Sequence, residues 1–188
     1  MIKVVGIDIS LNNLGVCEAE INGTRVEHCA VKLVQPVKAD KQTRKQVRKN
    51  SDDLRRAKWL HDGLHEAIKD CHVVTIEMPV GSQSARAMAS YGICIGVIAS
   101  VNKPLIEVTP LEVKLAGAGH KTATKSDMID WAVIQHPKAN WLRRKFKGEI
   151  QLLSANEHLA DALATIYAGM KTAEFKTIMN IMNTVAAA

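Results

Sequence analysis

The period of the apolar positions changes repeatedly along the chain. Ile2 to Ile9 is an apolar run broken only by Lys3, Gly6 and Asp8, the pattern of a central strand. Val16 to Ile21 predicts a second strand, with Asn12-Asn13 and Gly15 supplying the turn before it. Asn22-Gly23 then predicts a tight hairpin turn, and Arg25 to Val34 a third strand. A three-stranded antiparallel meander follows. The polar stretch from Gln35 to Asn50 is either a loop or a helix that orders on binding. Ser51-Asp52-Asp53 predicts an N-cap with acids in the first turn. Leu54, Ala57, Trp59, Leu60, Leu64, Ala67 and Ile68 continue a helical stripe to Asp70.

Beyond it, His72 to Met78 predicts a buried strand ending at Pro79, and Ser84 to Val101 a helix of small residues able to pack closely on a neighbour. Leu105 to Thr109 predicts a fifth strand, and Pro110 the first turn of a short helix through Lys114. A Gly/Lys/Thr loop spans Ala116 to Thr124. Helices are predicted over Lys125 to Gln135, Asn156 to Met170 and Glu174 to Val185. This order predicts an α/β protein with a five-stranded mixed sheet: three antiparallel N-terminal strands, then two parallel ones, flanked by helices. It is the order of the ribonuclease H-like fold.

Composition narrows the class. The 188 residues are 47% apolar but only 4% aromatic, which predicts a sizeable, mostly aliphatic core. The longest near-apolar stretch, about Ile93 to Val101, is too short to span a membrane. The N-terminus reads as a strand and not as a signal peptide. Cys17, Cys29, Cys71 and Cys94 have no C-x-x-C spacing and sit in apolar contexts, as reduced core thiols do, so a cytoplasmic location is expected. The expected organisation is a main domain over residues 1–172, including a basic segment at 35–58, and a C-terminal helix or tail over 173–188.

The net charge of +6 is concentrated. Between Lys38 and Lys58 nine Lys or Arg face three Asp, an excess of +6, and the rest of the chain balances to zero. A second basic cluster comprises Arg143, Arg144, Lys145 and Lys147. Such runs are either solvated helix faces or phosphate-binding surfaces.

Four residues stand out chemically. Asp8 interrupts the first strand, and Glu77 ends the strand His72–Ile76. Burying a carboxylate there costs several kcal/mol unless it is paired or binds a metal. His158 and Asp161 are three apart on an apolar helix and share one face. Glu157, four before Asp161, reads as a first-turn acid matched to the helix dipole, with a place near the same side as the alternative. Phosphodiester hydrolysis gives such a cluster a purpose. Two Mg²⁺ ions about 4 Å apart activate a water and neutralise the leaving oxygen. Three carboxylates and an imidazole are sufficient donors, and Mn²⁺ is expected to substitute.

These residues resemble motifs of the RuvC family of Holliday-junction resolvases. Gly6-Ile7-Asp8-Ile9-Ser10-Leu11-Asn12-Asn13-Leu14-Gly15 is similar to that family's first-strand motif, with Asp-Ile-Ser where Asp-Pro-Gly is usual. Ile76-Glu77, the following loop and the Ser84–Val101 helix resemble its second acidic motif. Val108 to Lys114 and the loop to Lys125 resemble its substrate-facing segment, and His158-Leu159-Ala160-Asp161-Ala162-Leu163-Ala164 its late-helix motif. The resemblance spans residues 2 to 172. It implies a crossover-junction endonuclease with Asp8, Glu77, His158 and Asp161 as catalytic metal ligands. It also implies a homodimer acting on four-way junctions. Lys114, Lys121 and Lys125 become expected phosphate contacts, and Arg44, Lys45, Arg48, Lys49 and Arg55 of the basic segment join them. Met78-Pro79-Val80-Gly81 lacks the aromatic that many cellular members carry. With the charged 38–58 segment, this resembles phage-encoded relatives and implies looser recognition that extends to flaps and three-way forks.

Two other classes share parts of the pattern. Actin-like ATPases open with a similar strand, but they need two such lobes and a second Gly-rich phosphate loop, which this chain lacks. A non-catalytic branched-DNA-binding module of the same fold is the alternative function.

Overall fold

The computed structural model describes residues 1–37 and 48–187. The elements in chain order are β1 (Ile2–Ser10), β2 (Asn13–Asn22), β3 (Arg25–Val34), α1 (Lys49–Ile68), β4 (Val73–Glu77), α2 (Ala85–Ile98), β5 (Leu105–Val108), α3 (Pro110–Ala116), α4 (Lys125–Gln135), β6 (Arg143–Phe146), β7 (Glu149–Leu152), α5 (Asn156–Gly169) and α6 (Ala173–Ala187). The main sheet has the order β3-β2-β1-β4-β5. β1 pairs antiparallel with β2 and β2 with β3, while β4 runs parallel to both β1 and β5. The α/β class and the five-stranded mixed sheet are those expected from the sequence.

Helices cover both sheet faces, and the alternation of side chains along each strand decides which face each residue serves. Val5, Ile7 and Ile9 of β1 and Val74 and Ile76 of β4 pack with Leu60, Leu64 and Ile68 of α1 and Cys94, Val97 and Ile98 of α2. Ile2 and Val4 of β1, Val73 of β4 and Ile106 and Val108 of β5 pack instead with α5, through Leu159, Leu163 and Ile166. Met128 and Ala132 of α4 join this second core. So does α6, which docks by a buried Phe175 and half-buried Ile178, Met179 and Met182. Glycine lets α5 lie close to the sheet. A Cβ at Gly6 would overlap the Ala162 carbonyl oxygen, and one at Gly15 that of His158.

Several local features depart from the sequence expectation. The turn before β2 is confined to Leu11-Asn12, and Asn13 and Gly15 already belong to the ladder. Helix α1 begins at Lys49, after Arg48, and not at a Ser51 cap. Its acids serve ion pairs. Asp52 binds Arg55 and Arg56 at 2.7 Å each, and Asp53 accepts a two-pronged contact from Arg86 of α2. An unexpected antiparallel hairpin, β6–β7, carries the second basic cluster. Three other N-termini follow local rules. Ser84 caps α2, and Thr109 and Thr124 open α3 and α4 with complete capping boxes.

Candidate active site

The period of two places Asp8 and Glu77 on the same sheet face. Ile7 of β1 lies in register with Ile76 of the parallel neighbour β4, so the next residue on each strand is an acid. Both follow the parity of Val4 and Val73, toward α5. The helix presents a matching row, in which His158, Asp161 and Thr165 recur at intervals of three and four. Thr165 fixes its register on the sheet: its hydroxyl meets that of Thr75 at 3.0 Å in a fully buried pair.

His158 and Asp8 are in direct contact. Nδ1 of His158 donates to Oδ2 of Asp8 at 2.6 Å, with both side chains 19% exposed. This bond holds the imidazole above its ordinary pKa. On its other side, Nε2 lies 3.6 Å from Oε1 of Glu157, whose Oε2 is 2.7 Å from the Lys125 ammonium. A continuous row therefore runs Lys125–Glu157–His158–Asp8. Glu157 keeps its first-turn position, but it also faces the site. The spacing signal of four residues to Asp161 pointed to that second role.

Glu77 and Asp161 are the uncompensated members. Burial, then the charges of Asp8 and Asp161, push the Glu77 carboxyl up to about 8. Burial, then Asp8, push Asp161 up to about 7, with His158 opposing. Lys114 of α3 lowers both, and the charge of Lys125 also reaches Asp161. Their closeness is electrostatic: among the described residues, no three His, Cys, Asp or Glu side chains stand in a ready coordination geometry.

The other residues expected to contact DNA are dispersed. Lys125 reaches the cluster through Glu157, whereas Lys121 is exposed on the loop before α4. Arg48 is exposed just before α1, while Arg55 is engaged with Asp52 and the Val37 carbonyl. Arg44 and Lys45 lie outside the described residues, as does the side chain of Lys49.

No protein-family model and no curated protein matches the chain. Solved structures do. The chain is similar to T. thermophilus RuvC in complex with Holliday junction substrate, at 20% identity and a TM-score of 0.63, over 94% of this chain and 98% of that one. A second Thermus thermophilus RuvC structure matches at 21% identity and a TM-score of 0.56, over 88% of this chain and 92% of that one. Together with the strand order and the position of α5, these likenesses identify the fold as the RuvC-like form of the ribonuclease H-like fold.

Proposed function

We propose that this protein is a divalent-metal-dependent endonuclease that cuts branched DNA, Holliday junctions included. The observation that carries the reading is the meeting of Asp8, Glu77 and Asp161 with His158 at one end of the sheet, where burial and mutual repulsion leave Glu77 and Asp161 short of positive charge. A structural role fits poorly. Buried acids kept for stability are paired, and these two repel each other.

The donor set suits Mg²⁺, with Mn²⁺ as substitute: three hard carboxylates and one imidazole, on rigid elements, with negative charge in excess. Asp8, Glu77, Asp161 and His158 would hold two ions. Such ions supply an activated water and neutralise the leaving oxygen. The chain's own residues do the rest. His158 and Asp8 orient each other through their 2.6 Å hydrogen bond. Lys125, held by Glu157, and Lys114 place positive charge beside the acids, where a phosphate strand would enter. Lys121 and the basic 38–58 segment would contact more distant phosphates, with Arg44, Lys45, Arg48, Lys49 and Arg55 as its members. A homodimer would bring two such sites to a four-way junction for paired nicks. The nuclease unit is taken as residues 1–172, and residues 173–188 as an appendage. A bacterial host cytoplasm, as for phage-encoded relatives, is the location in keeping with this role.

The test is a cleavage panel of four-way, three-way, flap and linear duplex DNA with Mg²⁺, Mn²⁺ or Ca²⁺. Branched substrates should be cut with Mg²⁺ and Mn²⁺, and bound but uncut with Ca²⁺. Asp8→Asn should abolish cutting and keep binding. Normal cutting by Asp8→Asn would sink the site assignment. Binding without cutting in every metal would make the protein a non-catalytic branched-DNA module.

A further inference from the structure

The β6–β7 hairpin has no role in the site as described, and its construction is unusual. All four residues of β6 are exposed, and a lone two-stranded ribbon is marginal in water. This one is anchored at its base. Trp141, just before it, is buried, and its Nε1 donates to the His136 carbonyl at 2.9 Å. Asn156 is fully buried. Its Oδ1 accepts from the Leu142 N–H at 2.9 Å, and its Nδ2 donates to the carbonyls of Leu142 and Leu153 at 2.8 and 3.0 Å. At the tip, Lys147 and Gly148 both have positive φ, 49° and 89°, as a two-residue turn matched to strand twist requires.

Its surface is cationic and carries one displayed ring. Arg143, Arg144, Lys145 and Lys147 face a single acid in the hairpin, Glu149, and none of the four forms an ion pair among the described residues. Arg144 and Phe146 share one face. The Arg144 guanidinium lies 5.3 Å from the Phe146 ring centroid and the Lys147 ammonium 5.5 Å, while the ring remains 46% exposed. Cations beside an exposed aromatic are what single-stranded nucleic acid binds, by backbone attraction and base stacking.

Its placement supplies the second argument. Asn156 is the first residue of α5 and lies two before His158, so the hairpin base and the acidic end of that helix form one hydrogen-bonded unit. Asp8, Glu77, Glu157 and Asp161 offer phosphate no attraction of their own. A polyanion held there needs positive charge close by, and the hairpin carries four units of it.

We propose that β6–β7 is an arm that grips the DNA substrate beside the acidic cluster, with Arg143, Arg144, Lys145 and Lys147 on the phosphates and Phe146 stacked on a base unpaired at the branch. This rests on the branched-DNA reading above. A protein partner would use the apolar edge of Ile150 and Leu152, and four unpaired cations favour the polyanion.

The experiment measures binding by anisotropy in Ca²⁺ over a range of salt, on three-way and linear duplex DNA, with 2-aminopurine at the branch. Replacing all four cations by Ala should reduce the slope of log K against log salt by about 3 to 4. The charge-conserving Arg143→Lys and Arg144→Lys pair should leave that slope near the wild-type value. Phe146→Ala should keep the slope, lose about tenfold or more on three-way DNA alone, and abolish the 2-aminopurine change. An unchanged slope in the four-fold variant would overturn the arm, as would equal losses on branched and duplex DNA for Phe146→Ala. Wild-type protein that neither prefers nor cuts branched DNA would instead overturn the functional reading, and the arm with it. The hairpin side chains are exposed, so all variants should melt as the wild type does.

Discussion

Gly15 lies directly beneath the backbone of His158, so close that a methyl group there would overlap the His158 carbonyl. The helix end that carries His158 can rest on β2 only while position 15 has no side chain. Gly15→Ala is expected to cost about 1–3 kcal/mol by overpacking and to reduce cleavage more than DNA binding, read by urea denaturation and a cleavage assay. Gly92→Ala is the contrast. Its Cβ meets open space in α2, so the same change should stabilise by up to about 1 kcal/mol.

Stability should depend on pH through Glu77, with a sign opposite to that of a salt-bridged acid. Its carboxyl is held up at about 8, from an ordinary 4.5. As pH rises above 4.5 the unfolded chain releases this proton and the folded chain retains it, so folding is disfavoured progressively up to about pH 8. Asp161 acts likewise up to about 7. In EDTA, thermal stability should fall across this window, and Glu77→Gln should flatten the fall. Mg²⁺ should raise the melting temperature most at pH 8. Parallel wild-type and Glu77→Gln curves without metal would contradict the burial described for this carboxyl.

The Asp53–Arg86 contact should outweigh the neighbouring Asp52 pairs. Its two contacts are 2.5 and 2.7 Å, and the Asp53 side chain is only 10% exposed, against 26% for Asp52. Asp53→Ala should cost about 1–2 kcal/mol and Asp52→Ala less than about 1, by denaturant midpoint. Arg86 holds the Asp53 carboxyl below its ordinary 3.8. The Asp53 contribution is therefore complete above pH 4 and lost as pH falls through the folded value.

Asn156→Ala removes three hydrogen bonds at a fully buried position and strands the Leu142 N–H. A loss of about 2–3 kcal/mol is expected. Amide exchange should quicken first at Leu142 and in the hairpin. Exchange that stays uniform across the chain would show that Asn156 does not tie the two together.

Much of the fold was legible because its signals are local. Arg25–Val34 follows from a hairpin turn and Lys125–Gln135 from the Gly/Lys/Thr loop that ends at Thr124, whose capping box only the fold shows. The shared face of His158 and Asp161 follows from helical spacing, whereas the convergence of Asp8 and Glu77 needs the β1–β4 register, which only the fold supplies. The hairpin was not legible as an element, since Arg143 to Phe146 has no apolar alternation and is held from outside by Asn156. Helix α1 starts earlier than its sequence suggests, because Asp52 and Asp53 resemble caps but serve arginines. By sequence Glu157 is first a dipole-matched acid, and only the fold shows its contacts with Lys125 and His158.

The alternation that points Asp8 and Glu77 toward α5 leaves Ile7 and Ile76 facing α1 and α2. Substitutions on that far side can therefore make the protein sturdier or weaker while sparing the acids. The face toward α1 and α2 is packing without any acid of the cluster, so selection or engineering can adjust it separately.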